Sequence, residues 1–245
     1  MQITRPTATA IATLALLPGG AFAATVIGGP GNERLRGTNG PDHIDGNHGD
    51  DRIFGRAAND TLIGGPGNDV VRGGRGDDSV RGDANLVGDR TSFDRLFGGP
   101  GNDTLRGGDS HDRMHGGPGN DTSFGEHGRD LMFAGGGDDT QHGNGGDDVI
   151  RLGQGIDVAF GGEGNDLLRA GGPRDVQPGN DQVGDTLDGG PGNDRFRTRD
   201  GEVDRVLCGP GNDRALLDGR DIVSDSSAQD PDGSCERVVR RPARR

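Results

Sequence analysis

The sequence predicts an all-β chain, a parallel β-solenoid of stacked 18-residue coils. Three observations point there. A nine-residue unit, G-G-x-G-[N/D]-D-x-apolar-x, recurs in register, as in residues 64–72 followed at once by 73–81. The composition leaves little for a globular core: of 245 residues 51 are Gly and 13 Pro, while Leu, Ile, Val and Phe together make 19% and the formal charge is −13. Such a chain stays disordered unless a strict repeat stabilises it by other means, and an ordinary enzyme domain of this length is excluded. The acids are 35 Asp against five Glu, with no Lys. A preference for the shorter carboxylate suits tight turns around a hard divalent cation, Ca²⁺ above all, and repels nucleic acid.

Residues 1–23 read as a secretory signal peptide. Arg5 carries a positive charge, residues 8–17 are mostly apolar, Pro18, Gly19 and Gly20 break the run, and Ala21-Phe22-Ala23 has the form of a cleavage site. The run is too short to span a membrane and nothing later is apolar enough. The mature chain is expected to start at Ala24 and to be secreted to the extracellular space.

The repeats occupy 24–169, with units starting at 28, 37, 46, 55, 64 and 73, then at 89, 98, 107, 116, 125, 134, 143, 152 and 161. Residues 170–216 hold degenerate units starting at 180, 189, 199 and 208. Position six is Asp in 18 of these 19 units and Glu33 in the other, a bias that makes it the functional position. Gly at positions one, two and four allows positive φ and close backbone approach, so six residues can turn sharply. Asn or Asp at position five tolerates the left-handed region and can bond within its own turn. Positions seven to nine form a short strand whose middle residue, such as Leu62, Val71, Leu105 or Ile150, points inward, with its Arg or Thr neighbours facing solvent. Two units complete one coil, and stacked coils pair these strands into two parallel sheets. Like turns then align 18 residues apart, Asp51 over Asp69 and Asp112 over Asp130. Carboxylates about 4.8 Å apart repel unless a cation lies between them, and turn carbonyls complete a hard-oxygen set that suits Ca²⁺.

This pattern resembles the repeats-in-toxin, or haemolysin-type, calcium-binding family, whose nonapeptide folds as a parallel β-roll. The resemblance implies that the position-six Asp and the turn carbonyls of stacked repeats hold several Ca²⁺ ions. The implied ligands are Asp42, Asp51, Asp60, Asp69 and Asp78 in the first block. In the second they are Asp94, Asp103, Asp112, Asp121, Asp130, Asp139, Asp148, Asp157 and Asp166. Asp185, Asp194, Asp204 and Asp213, beyond the regular blocks, are weaker candidates. Departures are Ala58 and Ser110 at position four, Ser123 and Gln141 at the apolar position, and Leu152 where the first Gly belongs.

Residues 82–88 and 170–179 read as loops between stacked blocks, and 217–245 as a strand cap with a basic tail. Cys208 and Cys235 are the two cysteines; in an exported chain they read as one disulfide, with two free thiols as the alternative. No H-E-x-x-H or G-x-S-x-G occurs, and His43, His48, His111, His115, His127 and His142 scatter over different repeat positions. The expectation is a non-enzymatic, secreted calcium-binding protein with a structural or adhesive role, its partners being Ca²⁺ and a cell-surface or matrix component. The alternatives are a secretion and folding module for a separate extracellular enzyme, and a disordered polyanion that buffers Ca²⁺.

Overall fold

A computed structural model of the chain describes residues 11–16, 22–83, 92–171, 184–224 and 235–242. Two sheets of 12 and 11 strands receive alternate strands of the chain, the arrangement of a β-solenoid. Most strands are short because each unit has only three residues between turns; Thr61–Ile63 presents an exposed, a buried and a half-buried residue in turn. Apart from the first, every strand pairs in parallel with the strand one coil away, Ile53 with Val71 and Leu62 with Val80.

The position-eight side chains form the core. Ile44, Ile53, Leu62, Val71, Leu96, Leu105, Ile150 and Leu168 are all fully buried between the sheets. Three consecutive strands of the 12-stranded sheet break this pattern, placing Ser123, Gln141 and Ala159 inward in register. Met114 and Met132 hold the matching positions of the other sheet, where a flexible thioether can fill irregular space. On the outside of the same polar stretch, Phe124, His142 and Phe160 stack face to face, with centroids 4.9 and 4.8 Å apart. Arg106 caps that stack 4.3 Å from the Phe124 centroid and pairs with Glu126 at 3.2 Å.

The anticipated loops fall largely on 84–91 and 172–183, outside the described residues. The stack nevertheless resumes in register on either side: Val71 pairs with Leu96 and Leu168 with Phe196. The degenerate units and the cap continue both sheets, Ile222–Val223 joining one and Arg237–Arg240 the other. Cys208 is bonded to Cys235 with their Cα atoms 5.3 Å apart, tying the cap to the last coils. At the opposite end Ile11–Leu16 lies antiparallel against Phe22–Ile27, covering the edge strand in the full-length chain. No helix among the described residues is long and apolar enough to cross a membrane.

Position five differs from its expected role. Left-handed backbone occurs at positions two and four, and at Gly201 in position three of a degenerate unit, but at no position-five residue among those described. The position-five side chain bonds the next coil instead of its own turn: Asn120 N–H donates to Asn102 Oδ1 at 2.8 Å, and Asp138 N–H to Asn120 Oδ1 at 3.0 Å. His111 serves the same purpose, its Nδ1 accepting from Arg129 N–H at 2.7 Å. An acceptor one coil away satisfies a turn N–H that the parallel ladder leaves open.

Candidate metal centre

Each position-six aspartate is turned inward at the base of its turn. Its Oδ1 accepts the backbone N–H of the aspartate one coil earlier: Asp42 N–H to Asp60 at 2.8 Å, Asp51 to Asp69 at 2.7 Å, Asp130 to Asp148 at 2.8 Å. This ladder runs opposite to that of position five and crosses both insertions, from Asp69 to Asp94 and from Asp166 to Asp194 at 2.8 Å each. Glu236 closes it, accepting from Asp213 N–H.

The second oxygen is the informative one. Oδ2 of Asp51, Asp60, Asp69, Asp78, Asp94, Asp103, Asp112, Asp121, Asp130, Asp139, Asp148 and Asp166 is buried and accepts no hydrogen bond. A buried carboxylate oxygen without a partner is costly, and here the cost recurs along the stack. The cradle beside it is lined by backbone. A Cβ placed on Gly55 would stand 2.2 Å from Asp60 Oδ2 and 2.6 Å from the Gly73 carbonyl oxygen, so the first glycine of the unit holds open a space shared by both oxygens. Gly116 does the same between Asp121 Oδ2, at 2.3 Å, and the Ala134 carbonyl oxygen, at 2.6 Å. Carboxylate and carbonyl oxygens in an irregular cradle are the donor set that a Ca²⁺ ion accepts, and the residues fit that ion.

The electrostatics agree. In the protein alone, burial pushes the Asp94 carboxyl up to about 9 and that of Asp130 up to about 8. Asp60, Asp69, Asp103 and Asp139 rise to about 7 for the same reason. Backbone N–H donors pull each of them down, and neighbouring aspartates push up again, as Asp78 and Asp42 do on Asp60. A divalent cation reverses that balance, since its charge favours the ionised form.

Two of the fourteen implied ligands are arranged differently. Asp42 Oδ2 accepts Thr38 N–H at 2.5 Å and the Thr38 hydroxyl at 3.3 Å. Asp157 Oδ2 accepts Gly153 N–H at 3.0 Å, in the unit where Leu152 replaces the first glycine. Conversely Asp194 and Asp204, among the weaker candidates, have the buried, unbonded Oδ2 of the regular sites. Asp200 and Glu202 lie outside the sequence-based set: with Asp204 they bring one carboxylate oxygen each to within 4.8 Å of one another, all three residues buried. The signal for them was the alternation of acids at 200, 202 and 204, which the nine-residue register conceals.

A β-solenoid whose stacked turns line both edges with buried, cation-seeking carboxylates is a calcium-binding repeat protein in its architecture. The model of the RTX calcium-binding nonapeptide repeat matches residues 27–62, 54–85, 91–123, 124–141, 142–176 and 184–202, well over half of the chain, and the chain belongs to that family. No curated protein matches it.

Proposed function

We propose that this chain is a secreted, non-enzymatic protein that folds into a β-roll on binding several Ca²⁺ ions and serves a structural or adhesive role outside the cell. The observation that carries the reading is the row of buried Oδ2 atoms with no hydrogen-bond partner, at twelve of the fourteen implied aspartates and along both edges. Ionised and without a cation these groups oppose folding; with one between each pair of turns they become its main support, so metal binding and folding are one event. The leader at 1–23 and the Cys208–Cys235 bond agree with an oxidising, extracellular setting. Far-UV circular dichroism of the chain from Ala24 onward, titrated with Ca²⁺ and with Mg²⁺ as control, tests this. At a pH where these carboxyls are ionised, a coil-to-β transition specific to Ca²⁺ is expected; a chain already folded in chelator at that pH overturns the reading. Turnover of a polysaccharide or peptide substrate by the purified chain alone would overturn its non-enzymatic part.

A further inference from the structure

The two outer faces of the solenoid are chemically unlike. Position seven of the 12-stranded sheet is mostly Thr or Ser, as in Thr104, Thr122 and Thr140. In the 11-stranded sheet the outward positions carry arginine and aromatic residues, with aliphatic ones such as Val70, Leu131, Val149 and Leu167 among them, and none carries a carboxylate among the described residues. Position nine there runs Arg36, Phe54, Arg72, Phe97, His115, Phe133 and Arg151 over seven successive strands, basic side chain and phenyl ring in strict alternation. The Arg72 guanidinium lies 5.9 Å from the Phe54 centroid and 5.0 Å from that of Phe97.

Cation–π contact accounts for an arginine beside a phenylalanine. It does not account for arginine beside arginine. Arg34 is directly opposite Arg52, Arg95 opposite Arg113, and Arg151, Arg169 and Arg197 follow one another on three adjacent strands. Like charges facing across strands destabilise a sheet. Burial, then the charges of Arg197 and Arg151, lower the Arg169 pKa. The chain has 40 acidic residues, yet the one ion pair among the described residues, Arg106 with Glu126, is on the other sheet.

We propose that the outer face of the 11-stranded sheet binds a linear carboxylated polysaccharide, arginines meeting the carboxylates and phenylalanines lying against the sugar rings. The inference rests on the reading of an extracellular, calcium-folded rod and names its partner class. The spacing selects the ligand. Along the position-nine column from Arg36 to Arg151 a basic side chain, His115 among them, recurs at every second strand, about every 9.6 Å, a period that suits one carboxylate per disaccharide, with an aromatic ring between successive basic groups. Nucleic acid is a poorer match: it presents a phosphate about every 1.7 Å of duplex axis, and the acidic edges of the rod flank the face on both sides. The planar guanidinium fork pairs with carboxylate through two parallel hydrogen bonds.

The test uses the mature chain saturated with Ca²⁺, passed over immobilised hyaluronan, which has one carboxylate per disaccharide, and over dextran as a neutral control. Binding to hyaluronan that weakens with salt, and little binding to dextran, is expected. The triple variant Arg36→Gln, Arg72→Gln, Arg151→Gln is expected to lose about tenfold or more in affinity, with the Ca²⁺-induced β signal unchanged. Arg81→Gln with Arg205→Gln, on the other sheet, is expected to change binding less than about twofold. If the triple variant does not reach the β state, Arg72→Gln alone decides, with a loss of about threefold expected. Hyaluronan held no better than dextran, an arginine variant with unaltered affinity, or displacement by single-stranded DNA at a lower charge equivalent overturns the proposal. Binding that persists undiminished in chelator also overturns it, by placing the attraction in loose arginines and not in the folded face. A chain without any Ca²⁺-dependent β transition fails separately, in the titration and not on the glycan surface.

Discussion

Asp112 donates its backbone N–H to Oδ1 of Asp130 at 2.7 Å, and Oδ2 of Asp130 remains buried with no hydrogen-bond partner. One carboxylate therefore does two things: one oxygen fixes the register of successive coils, and the other faces the cradle between turns. An ion held in that cradle and the register of the coils would be coupled through a single side chain.

That division of labour separates otherwise similar aspartates. Asp69→Asn keeps an Oδ1 acceptor for Asp51 N–H but removes the charge beside the cradle. It is expected to lower the Ca²⁺ stoichiometry, measured by native mass spectrometry. Asp42→Asn, at a carboxylate whose Oδ2 is already engaged by Thr38, is expected to leave the stoichiometry unchanged. Equal losses from both would show that the hydrogen bonds of Asp42 do not set it apart.

The pH response follows from the raised carboxyl pKa values. The folded values lie from about 6 for Asp51 to about 9 for Asp94, above the ordinary 3.8. Because the folded form holds these protons more tightly, their contribution to the metal-free fold is full below the unfolded value and is lost as pH rises through the folded values. In chelator, β signal is expected near pH 4 and should fade between about pH 6 and 9. With Ca²⁺ present the dependence reverses, since protons compete with the ion. Circular dichroism against pH, with and without chelator, reads both limbs.

Gly116→Ala tests the cradle directly. Its Cβ would meet Asp121 Oδ2 at 2.3 Å and the Ala134 carbonyl oxygen at 2.6 Å, and neither can withdraw without breaking a site. A loss of about 2–3 kcal/mol in saturating Ca²⁺ is expected, with a higher Ca²⁺ midpoint for folding. An unshifted midpoint would mean that the carboxylate has room the packing does not suggest.

Two substitutions should stabilise. Gln141 is fully buried and neither end of its amide has a partner, so Gln141→Leu is expected to gain about 1–3 kcal/mol in chemical denaturation. Ser110 holds φ +86° and a buried hydroxyl without a partner, so Ser110→Gly is expected to gain about 1 kcal/mol. A destabilised variant of either kind would point to a bonded water or an unrecognised contact at that position.

The nonapeptide made the solenoid, its inward apolar column and the row of inward aspartates legible, because every one of those features is a fixed position in a short period. What escaped depended on neighbours one coil away. The role of Asn120 is invisible locally, since its partner is the N–H of Asp138 and not its own turn. The continuity from Asp166 to Asp194 was hidden by the interrupted numbering, although the ladder crosses the gap without a missing bond. Asp42 matches the motif fully at position six, and only the neighbouring Thr38 changes what its oxygens do.

The stack of Phe124, His142 and Phe160 lies outside the coils whose interior holds Ser123, Gln141 and Ala159. As a beam, the rod changes construction along its length: solid-cored in the regular coils, and braced by its skin where one side of the core holds Ser123 and Gln141. A substitution at Phe124 would therefore remove support from the surface of these coils without creating a cavity in their core.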